Sequence, residues 1–328
     1  MRNTVAVPPS LAAVAARVEA RLEAVLDEEA ARWSELTPDL AAPLEALRVL
    51  VMAGAKRLRP AFCYWGYVGA GGDGDDERVI DAGAAFEFLQ AFALVHDDVM
   101  DGSSTRRGSR TAHLVFADRH QAEVWRGERR RFGEGVAILI GDLAHVYADV
   151  LLRSAPTSVL AVWDELRIEL NVGQYLDILG TARGDTDPEV ARRIARYKSG
   201  KYTIERPLHV GAALAGRHDE LRVALSGYGD PLGEAFQLRD DVLGAFGESE
   251  LTGKPVGDDL REGKPTPLLA LATQRADDAQ RAVLAGVGDL DLTDGAISRI
   301  QDVLVATGAV DAVEDDIRRL TEVALTAI

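Results

Sequence analysis

Apolar residues recur along this chain at the spacing of one helix face. Near the N-terminus, Leu11, Val14, Val18, Leu22 and Val25 lie three or four residues apart, as on an α-helix. The same pattern predicts further helices at about residues 79–100, 136–152, 159–179, 189–215 and 220–245. The alternation typical of strands extends over no useful length. We therefore predict an all-α protein of about ten or more helices, with residues 1–328 forming a single domain.

Polar and chain-breaking segments separate the predicted helices. Glycine or proline interrupts the pattern at residues 69–74, 156, 184–188 and 247–267. Residues 119–135 are polar and rich in Arg and Glu, so we predict a solvated loop there.

Composition narrows the classes of function. A formal net charge of −16 argues against a nucleic-acid partner. Cys63 is the only cysteine, which excludes an intrachain disulfide and suits a reducing compartment. We expect a cytoplasmic protein without a membrane span, because the most apolar stretch, 136–152, contains Asp142, His145 and Asp149.

An acidic motif closes the predicted helix at 79–100. Asp97 and Asp101 are four residues apart and share a helix face, and Asp98 is adjacent. Carboxylates at this spacing repel each other, but together they offer the oxygen ligands that Mg²⁺ prefers. A solvated acidic helix end is the plainer interpretation of this motif alone.

A second acidic pair, Asp240 and Asp241, ends the helix predicted at 220–245. Two such pairs, each ending an apolar helix, are harder to dismiss as solvated surface. If the two helices faced one another, their carboxylates could hold several Mg²⁺ ions around a diphosphate, and the metal would supply the positive charge that the chain lacks.

Basic clusters accompany both acidic motifs. Lys56 and Arg59 are three residues apart and share a helix face, and the pair Arg106 and Arg107 follows the first acidic motif. Further cations lie at Lys198 and in residues 254–264. Each cluster alone is a common surface pattern, although adjacent arginines suit the bidentate recognition of phosphate.

The order of these motifs resembles the trans-isoprenyl diphosphate synthases, the family of farnesyl and geranylgeranyl diphosphate synthases. The segments that carry the resemblance, between residues 54 and 264, are GAKRLRP, HDDVMDGSSTRRG, YKSGKYT, FQLRDDVLG and GKPVGDDLREGK. The resemblance implies an isoprenoid-synthase-type helical bundle around a central apolar tunnel, and a homodimer. It also implies a trans-prenyltransferase that condenses isopentenyl diphosphate with dimethylallyl, geranyl or farnesyl diphosphate.

The resemblance further implies a role for each motif residue. Mg²⁺, expected as three ions with substrate bound, would be held by Asp97, Asp98, Asp101, Asp240 and Asp241. Isopentenyl diphosphate would be bound by Lys56, Arg59, Gln90 and Arg107. The allylic diphosphate would be bound by Arg106, Lys198 and Lys254, with Ser199 beside Lys198. The remaining wall of the site would be formed by Gln237, Asp259 and Lys264.

One departure from the family pattern concerns the second acidic motif. A third acid is expected four residues after Asp240, where this chain has Gly244. We take the missing acid to be one that does not contact metal directly, so activity should survive its loss. The support of the third ion is nevertheless weakened.

Three other functions share some of these features. A terpene cyclase would not need the basic motif at 54–60, and a non-catalytic subunit that modulates another prenyl synthase often loses an acidic motif, whereas this chain keeps its first intact. A structural helical scaffold would not need six charged clusters in this order. An assay of the purified protein alone separates the enzyme from the modulating subunit.

Product length is predicted from residues one to two helical turns before Asp97. There Leu89, Phe92 and Ala93 would form the floor of the tunnel. A single aromatic residue five positions before the motif, followed by the small Ala93, resembles the geranylgeranyl synthases, which make a C20 product. Two adjacent aromatic residues would have indicated farnesyl diphosphate (C15), which stays the alternative.

Overall fold

The computed structural model describes residues 8–53, 56–247 and 256–327 and is almost entirely helical there. The α-helices are α1 (Pro9–Ser34), α2 (Ala41–Met52), α3 (Leu58–Gly69), α4 (Glu77–Asp101), α5 (Ala112–Ala122), α6 (Arg129–Leu152), α7 (Thr157–Arg183), α8 (Pro188–Ala195), α9 (Arg206–Leu214), α10 (His218–Phe246), α11 (Asp258–Glu262), α12 (Pro267–Arg275), α13 (Asp278–Leu284), α14 (Asp294–Ala306) and α15 (Ala309–Thr326). A 3₁₀ turn (Pro38–Leu40), a π-helix (Arg196–Glu205) and two short strands, β1 (Thr105–Arg106) and β2 (Ser109–Arg110), complete these elements. The predicted all-α class is confirmed.

The chain divides into two compact units. The first contains residues 1–161 and 207–219, and the second contains residues 162–206 and 220–328. The prediction of a single domain over 1–328 stays a prediction.

In the first unit, α4 is the central helix. It packs against α1, α3 and α6, and Phe86, Phe88 and Leu89 are fully buried along it. Burying three side chains of this size stabilises the unit by roughly 1.5–3 kcal/mol each. The central position of α4 fixes the direction of its C-terminal end, where the first acidic motif lies.

The second unit has its own apolar core. Leu238 and Val242 of α10 pack there with Leu260 of α11, Leu268 of α12 and Leu304 of α14. This core holds the C-terminal end of α10, with the second acidic pair, next to the short helix α11.

Two local predictions need correction. Residues 119–135 are not one solvated loop, because α5 continues to Ala122 and α6 begins at Arg129. The Phe132 ring packs against those of His120 and Trp125, and these contacts outweigh the polar composition of the segment. The helix predicted at 189–215 is likewise not uniform, because its middle ten residues form a π-helix.

Within the part of the chain that the structure describes, two helices, α4 and α6, are long and apolar enough to cross a membrane by length and composition alone. The most apolar window of α4 is 67% buried within the protein, and that of α6 is 39% buried. Burial within the protein is what a core helix requires, so α4 needs no membrane to explain its composition. The predicted absence of a membrane span stays a prediction.

Candidate active site

The first acidic motif occupies the last turn of α4. Asp97 and Asp98 are buried and Asp101 is half-buried. Asp97 and Asp101 offer carboxylate oxygens within 4.8 Å of each other, as their spacing on one helix face requires. Gly102 then ends the helix in a left-handed conformation, with φ at 67°, and turns the chain back towards the motif.

The returning chain forms a hairpin that places Arg106 on these carboxylates. Arg106 lies on β1, which pairs with β2 across a two-residue turn. Its Nε donates to Asp98 Oδ1 over 2.7 Å, and its Nη2 donates to Asp97 Oδ2 over 3.1 Å. The predicted ligand of a diphosphate thus neutralises part of the acidic motif in this structure.

Arg107 sits in the turn itself. Arg107 and Gly108 both have positive φ, 52° and 74°, which a two-residue hairpin turn of this kind needs. For a non-glycine residue this conformation costs about 1–2 kcal/mol. The guanidinium offsets the strain, because its Nη1 donates to the carbonyl oxygens of Leu50 and Ala53 at the end of α2, over 2.9 and 3.1 Å.

Arg107 also belongs to a concentration of positive charge. Burial lowers the pKa of Arg107, and the nearby guanidinium groups of Arg57, Arg59 and Arg106 lower it further, whereas Glu87 opposes them. The predicted ligands Arg59 and Arg107 therefore lie in one electrostatic neighbourhood, as the binding of an anion requires. Lys56, the third predicted cation, is exposed.

Arg57, to which sequence analysis gave no role, has a structural one. Its side chain is fully buried and pairs with Glu87 and, over 3.1 Å, with Glu19. Its φ of 51° makes it the left-handed residue that precedes α3. Arg57 therefore joins α1 and α4 at the start of α3.

The second acidic pair lies in the second unit, and its two residues differ in burial. Asp240 is exposed, whereas Asp241 is only 6% exposed. Asp241 Oδ1 accepts a hydrogen bond of 2.8 Å from the Gln237 amide, and its Oδ2 is buried without a hydrogen-bond partner among the described residues. Burial raises the pKa of Asp241 well above its ordinary value, and the carboxylates of Asp259, Asp240 and Asp177 raise it further.

Lys198 has a partner that sequence analysis missed. Its Nζ donates to Asp177 Oδ2 over 2.5 Å, and Asp177 is buried on α7. The sequence carried a signal, because Glu169, Gly173 and Asp177 lie four residues apart on a helix face that is otherwise apolar. A buried acid on such a face requires a cation, and Lys198 is that cation.

The π-helix lies antiparallel to this face of α7. A side chain at Gly173 would meet the backbone of Lys198 at 2.3 Å, so the two helices touch there through their main chains. At the other end, Glu169 accepts hydrogen bonds from Lys201 and, over 2.6 Å, from Arg206. Burial would raise the pKa of Glu169, but these hydrogen bonds outweigh it and the pKa is lowered. The segment that carries Lys198 is thus fixed at both ends.

Four further residues were predicted to bind the allylic diphosphate or to form the wall of its site, and the structure describes three of them. Ser199 and Gln237 are half-buried. Lys264 Nζ pairs with Glu262 over 2.7 Å, and its amide donates to the Asp259 carbonyl oxygen over 3.1 Å. Lys254 lies outside the described residues.

The predicted floor residues lie on α4 before the acidic motif. Leu89 is fully buried, and Gln90, Phe92 and Ala93 are half-buried. The Phe92 ring packs against the rings of His96 and His145, with centroid distances of 4.7 and 4.8 Å. Phe92 therefore faces α6, and its role in limiting product length stays a prediction.

The donor set suits a hard divalent cation. In the first unit, two carboxylate oxygens approach closely enough to share an ion. In the second unit, Asp241 Oδ2 is buried without a hydrogen-bond partner among the described residues, a cost that a cation would relieve. Carboxylate oxygens are the ligands that Mg²⁺ and Ca²⁺ favour. The residues therefore fit the metal dependence that the family resemblance implies.

Comparison with known proteins supports the resemblance. A family model described as polyprenyl synthetase matches residues 42–299. The chain is 32% identical to a geranylfarnesyl diphosphate synthase of Aeropyrum pernix, over 83% of this chain and 82% of that protein. It is 33% identical to a geranylgeranyl diphosphate synthase of Sulfolobus acidocaldarius, over 78% and 74% respectively.

A solved structure agrees with both. It is a geranylgeranyl pyrophosphate synthase of Corynebacterium glutamicum complexed with isoprenyl diphosphate and magnesium, with a TM-score of 0.89 and 40% identity over 94% of this chain and 90% of that one. The fold, the order of the motifs and these matches lead to one conclusion: the chain belongs to the polyprenyl synthetase family and is a trans-prenyltransferase.

Proposed function

We propose that this enzyme condenses isopentenyl diphosphate with an allylic diphosphate to make geranylgeranyl diphosphate, with Mg²⁺ as its metal. The observation that carries the proposal is the intact first acidic motif, in which Asp97 and Asp101 approach within 4.8 Å beside Arg106. The similar Corynebacterium protein is described as a geranylgeranyl pyrophosphate synthase bound to magnesium, which supports both the metal and the C20 product.

The metal's contribution is the neutralisation of charge on the diphosphate leaving group, for which we propose three ions with substrate bound. The acids proposed to hold it are Asp97, Asp98 and Asp101 in the first unit, and Asp240 and Asp241 in the second. Arg106, which contacts Asp97 and Asp98 in this structure, would be available to bind a diphosphate if cations were held by these acids. Its planar fork suits the paired oxygens of that group.

The chemistry needs no nucleophilic side chain. Breaking the allylic C–O bond gives a carbocation and a diphosphate leaving group, and the double bond of isopentenyl diphosphate attacks the carbocation. The condensed cation then loses a proton to the departed diphosphate, which forms the new double bond. Cationic side chains aimed at the developing negative charge lower the barrier by preorganised electrostatics. His96 is not needed as a base, and its Nε2 lies 3.0 Å from the Ile138 carbonyl oxygen.

The product assay tests this proposal directly. The purified chain alone, with Mg²⁺ and isopentenyl diphosphate, is given dimethylallyl, geranyl or farnesyl diphosphate, and the dephosphorylated products are identified by mass spectrometry. We expect C20 to be the longest main product from all three substrates. A C15 main product would select the farnesyl synthase alternative. No turnover with any substrate would select the non-catalytic modulating subunit.

Phe92 is proposed to limit product length. It lies five residues before Asp97, about 7–8 Å along the helix axis. Because apolar interiors are closely packed, a growing chain cannot pass a ring there without strain. Phe92→Ala should lengthen the average product, whereas Ala93→Phe should shorten it towards C15. An unchanged product distribution in a folded, active Phe92→Ala variant would show that Phe92 only packs against the histidines.

We also propose that the protein is a cytoplasmic homodimer that buries one side of α6. Ile138, Leu139, Val146 and Val150 are large apolar residues exposed on this helix, with Leu139 at 62%. Asp142 interrupts the same side and is itself exposed, which a lipid contact would penalise and a protein contact tolerates. A second copy of this chain is therefore the proposed occupant.

Light scattering after size-exclusion chromatography tests the dimer. Val146→Glu should give a monomer, whereas Val223→Glu, at an exposed site on α10, should leave the dimer intact. A monomeric wild-type protein, or one that floats with lipid vesicles, would contradict the proposal.

A further inference from the structure

Two predicted ligands of isopentenyl diphosphate lie in one short segment of the chain. Lys56 and Arg59 flank Arg57 at the point where α3 begins. The backbone of Arg57 is left-handed, with φ at 51°, which is strained for a residue other than glycine. Its carbonyl oxygen accepts a hydrogen bond of 3.1 Å from the Ala61 amide, in the first turn of α3. The position of Arg57 therefore sets where this segment and the start of α3 lie.

The side chain of Arg57 is held by two other helices. None of it is exposed, and its Nε donates to Glu19 on α1 over 3.1 Å. Its Nη1 donates to Glu87 on α4, which is only 5% exposed. Glu87 also lies near Arg107, another predicted ligand of isopentenyl diphosphate, because its charge raises the pKa of that guanidinium. One buried acid thus serves several cations of this site.

The start of α3 also approaches α4 through a glycine. A β-carbon built on Gly83 would lie 3.2 Å from the Cβ of Pro60, which is tighter than most side chains allow. Gly83 is four residues before Glu87, and Gln90 is three residues after it, so all three share one side of α4. The ion pair and this close approach therefore join the start of α3 to the side of α4 that carries Gln90, a further predicted ligand.

The energetics of the pair favour a positioning role over a stabilising one. A buried ion pair often stabilises a fold no more than apolar side chains of similar volume, because both charges lose their hydration. Here Arg57 Nη2 is also buried without a hydrogen-bond partner among the described residues, which is a further cost. An apolar contact would join the same helices at lower cost but would lack the direction that hydrogen bonds impose.

We propose that the Arg57–Glu87 ion pair positions the binding site of isopentenyl diphosphate. The pair holds Lys56 and Arg59, at the start of α3, at a fixed place relative to Gln90 on α4. Arg57 and Glu87 are positioning residues, which act through these ligands and not by contact with the substrate. The inference rests on the proposed function for the identity of the substrate, but it concerns binding, which can be measured without turnover.

Replacing whole ion pairs in the full-length chain tests the inference. Arg57→Met/Glu87→Met removes one positive and one negative charge, so the net charge beside the site stays the same. The matched control is Arg21→Met/Asp81→Asn, because Arg21 on α1 and Asp81 on α4 form an ion pair of 2.6 Å in the same unit that includes no residue of α3. Titration calorimetry with Mg²⁺ gives the Kd of isopentenyl diphosphate, initial rates give KM for each substrate, and scanning calorimetry gives Tm.

Arg57→Met/Glu87→Met should raise the Kd and the KM of isopentenyl diphosphate about tenfold or more, because ligands that are misplaced by an ångström lose much of their effect. Its KM for the allylic diphosphate should be unchanged, and its Tm should be close to that of the wild type, since apolar side chains can replace a buried pair without loss of stability. The control should bind isopentenyl diphosphate as the wild type does.

The single variant Glu87→Gln adds a test of sign. Removal of a negative charge near an anion site would by itself tighten the binding of isopentenyl diphosphate, whereas loss of positioning weakens it. We expect weaker binding. Because glutamine keeps the size of the side chain and an oxygen that accepts a hydrogen bond, this variant decides the question if Arg57→Met/Glu87→Met fails to fold.

Three results would overturn the inference: an unchanged Kd of isopentenyl diphosphate in the folded Arg57→Met/Glu87→Met variant, tighter binding by Glu87→Gln, or an equal rise in Kd in the control. Failure of the proposed function has a different signature, namely a wild-type chain that binds isopentenyl diphosphate but forms no prenyl product. The comparison of Kd values then still tests the ion pair.

Discussion

The two acidic sites of this enzyme differ in the partners of their buried carboxylates. In the first unit, the carboxylates of Asp97 and Asp98 are held by Arg106 through charge-assisted hydrogen bonds. In the second unit, Asp241 is equally buried, accepts a hydrogen bond from the neutral Gln237 amide, and lies near the carboxylates of Asp259, Asp240 and Asp177. The described contacts thus give the first site a cation from this chain, Arg106, and give Asp241 a neutral partner.

This difference separates two demands on a catalytic site. A buried carboxylate that is paired with an arginine is stabilised by that pair, so removing its charge breaks the pair and lowers stability. A buried carboxylate oxygen without a hydrogen bond lowers the stability of the fold, so replacing the acid by a neutral amide reduces that cost. We therefore expect mutations at the two sites to change stability in opposite directions.

The largest expected effect is on activity. Asp97→Asn should lower kcat by at least about 10²–10³-fold, the usual cost of losing one stabiliser of developing charge. Asp219→Asn, at an exposed acid of the same unit, is the control and should be within twofold of the wild type, in a steady-state assay with saturating Mg²⁺. Normal turnover by Asp97→Asn would remove the first site from the mechanism.

The cations of the two units should separate the two substrates. Lys56→Ala should raise the KM for isopentenyl diphosphate, and Lys198→Ala should mainly impair use of the allylic diphosphate, each by roughly tenfold or more, since a charge-assisted hydrogen bond contributes about 1.5–3 kcal/mol. Initial rates are measured with each substrate varied in turn. Identical effects of both variants on both substrates would contradict the assignment.

Lys198→Ala also leaves Asp177 as a buried, unpaired charge. The double variant Lys198→Ala/Asp177→Ala removes that charge as well. It should recover the Tm but not the kinetics, which separates the loss of a substrate contact from a general loss of stability.

The smallest expected effect is on the metal-free protein, and it gives the sharpest comparison. In EDTA at pH 7, Asp98→Asn should lower Tm because Arg106 loses its nearest carboxylate, whereas Asp241→Asn should raise Tm by roughly 1–4 °C. Both are measured by scanning calorimetry. Shifts of the same sign would show that the two sites do not differ in this way.

The pH dependence of the stability gained by Asp241→Asn follows from the raised pKa of Asp241. Below the ordinary carboxyl pKa of about 4, the Asp241 carboxyl is protonated in both the folded and the unfolded state. It then makes no pH-dependent contribution to the free energy of unfolding. As pH rises towards the raised folded-state pKa, the unfolded state gains stability by ionising and the folded state does not. The increase in Tm caused by Asp241→Asn should therefore become larger as pH rises above 4 and should vanish near pH 4.

Sequence analysis could predict the features that depend on the spacing of residues along the chain, namely the first acidic motif and the family. Asp97, Asp98 and Asp101 share one helix turn, so their neighbourhood follows from helix geometry alone. The order of the motifs identified the family for the same reason, because order and spacing are properties of the sequence. The fold class and the family assignment are confirmed.

Sequence analysis could not find what depends on contacts between distant segments. Asp259 lies fifteen residues after Gly244, and only the folded chain places its carboxylate over that glycine. The partnership of Lys198 with Asp177 crosses two helices in the same way. The π-helix was missed because its apolar pattern resembles that of an α-helix over a few residues, and the start of α6 because aromatic packing outweighed polar composition.

The π-helix makes the length of this segment as important as its composition. Between residues 196 and 205 each turn contains more residues than an α-helical turn, since its hydrogen bonds run from i to i+5. In this register, Lys198 and Lys201 contact acids that are eight residues apart on α7. We expect a substitution here to remove one contact, whereas deletion of a single residue should favour an ordinary α-helix and break one of the two ion pairs. Evolution of this segment can therefore exchange its side chains one at a time, whereas a change in its length must be matched elsewhere in the chain.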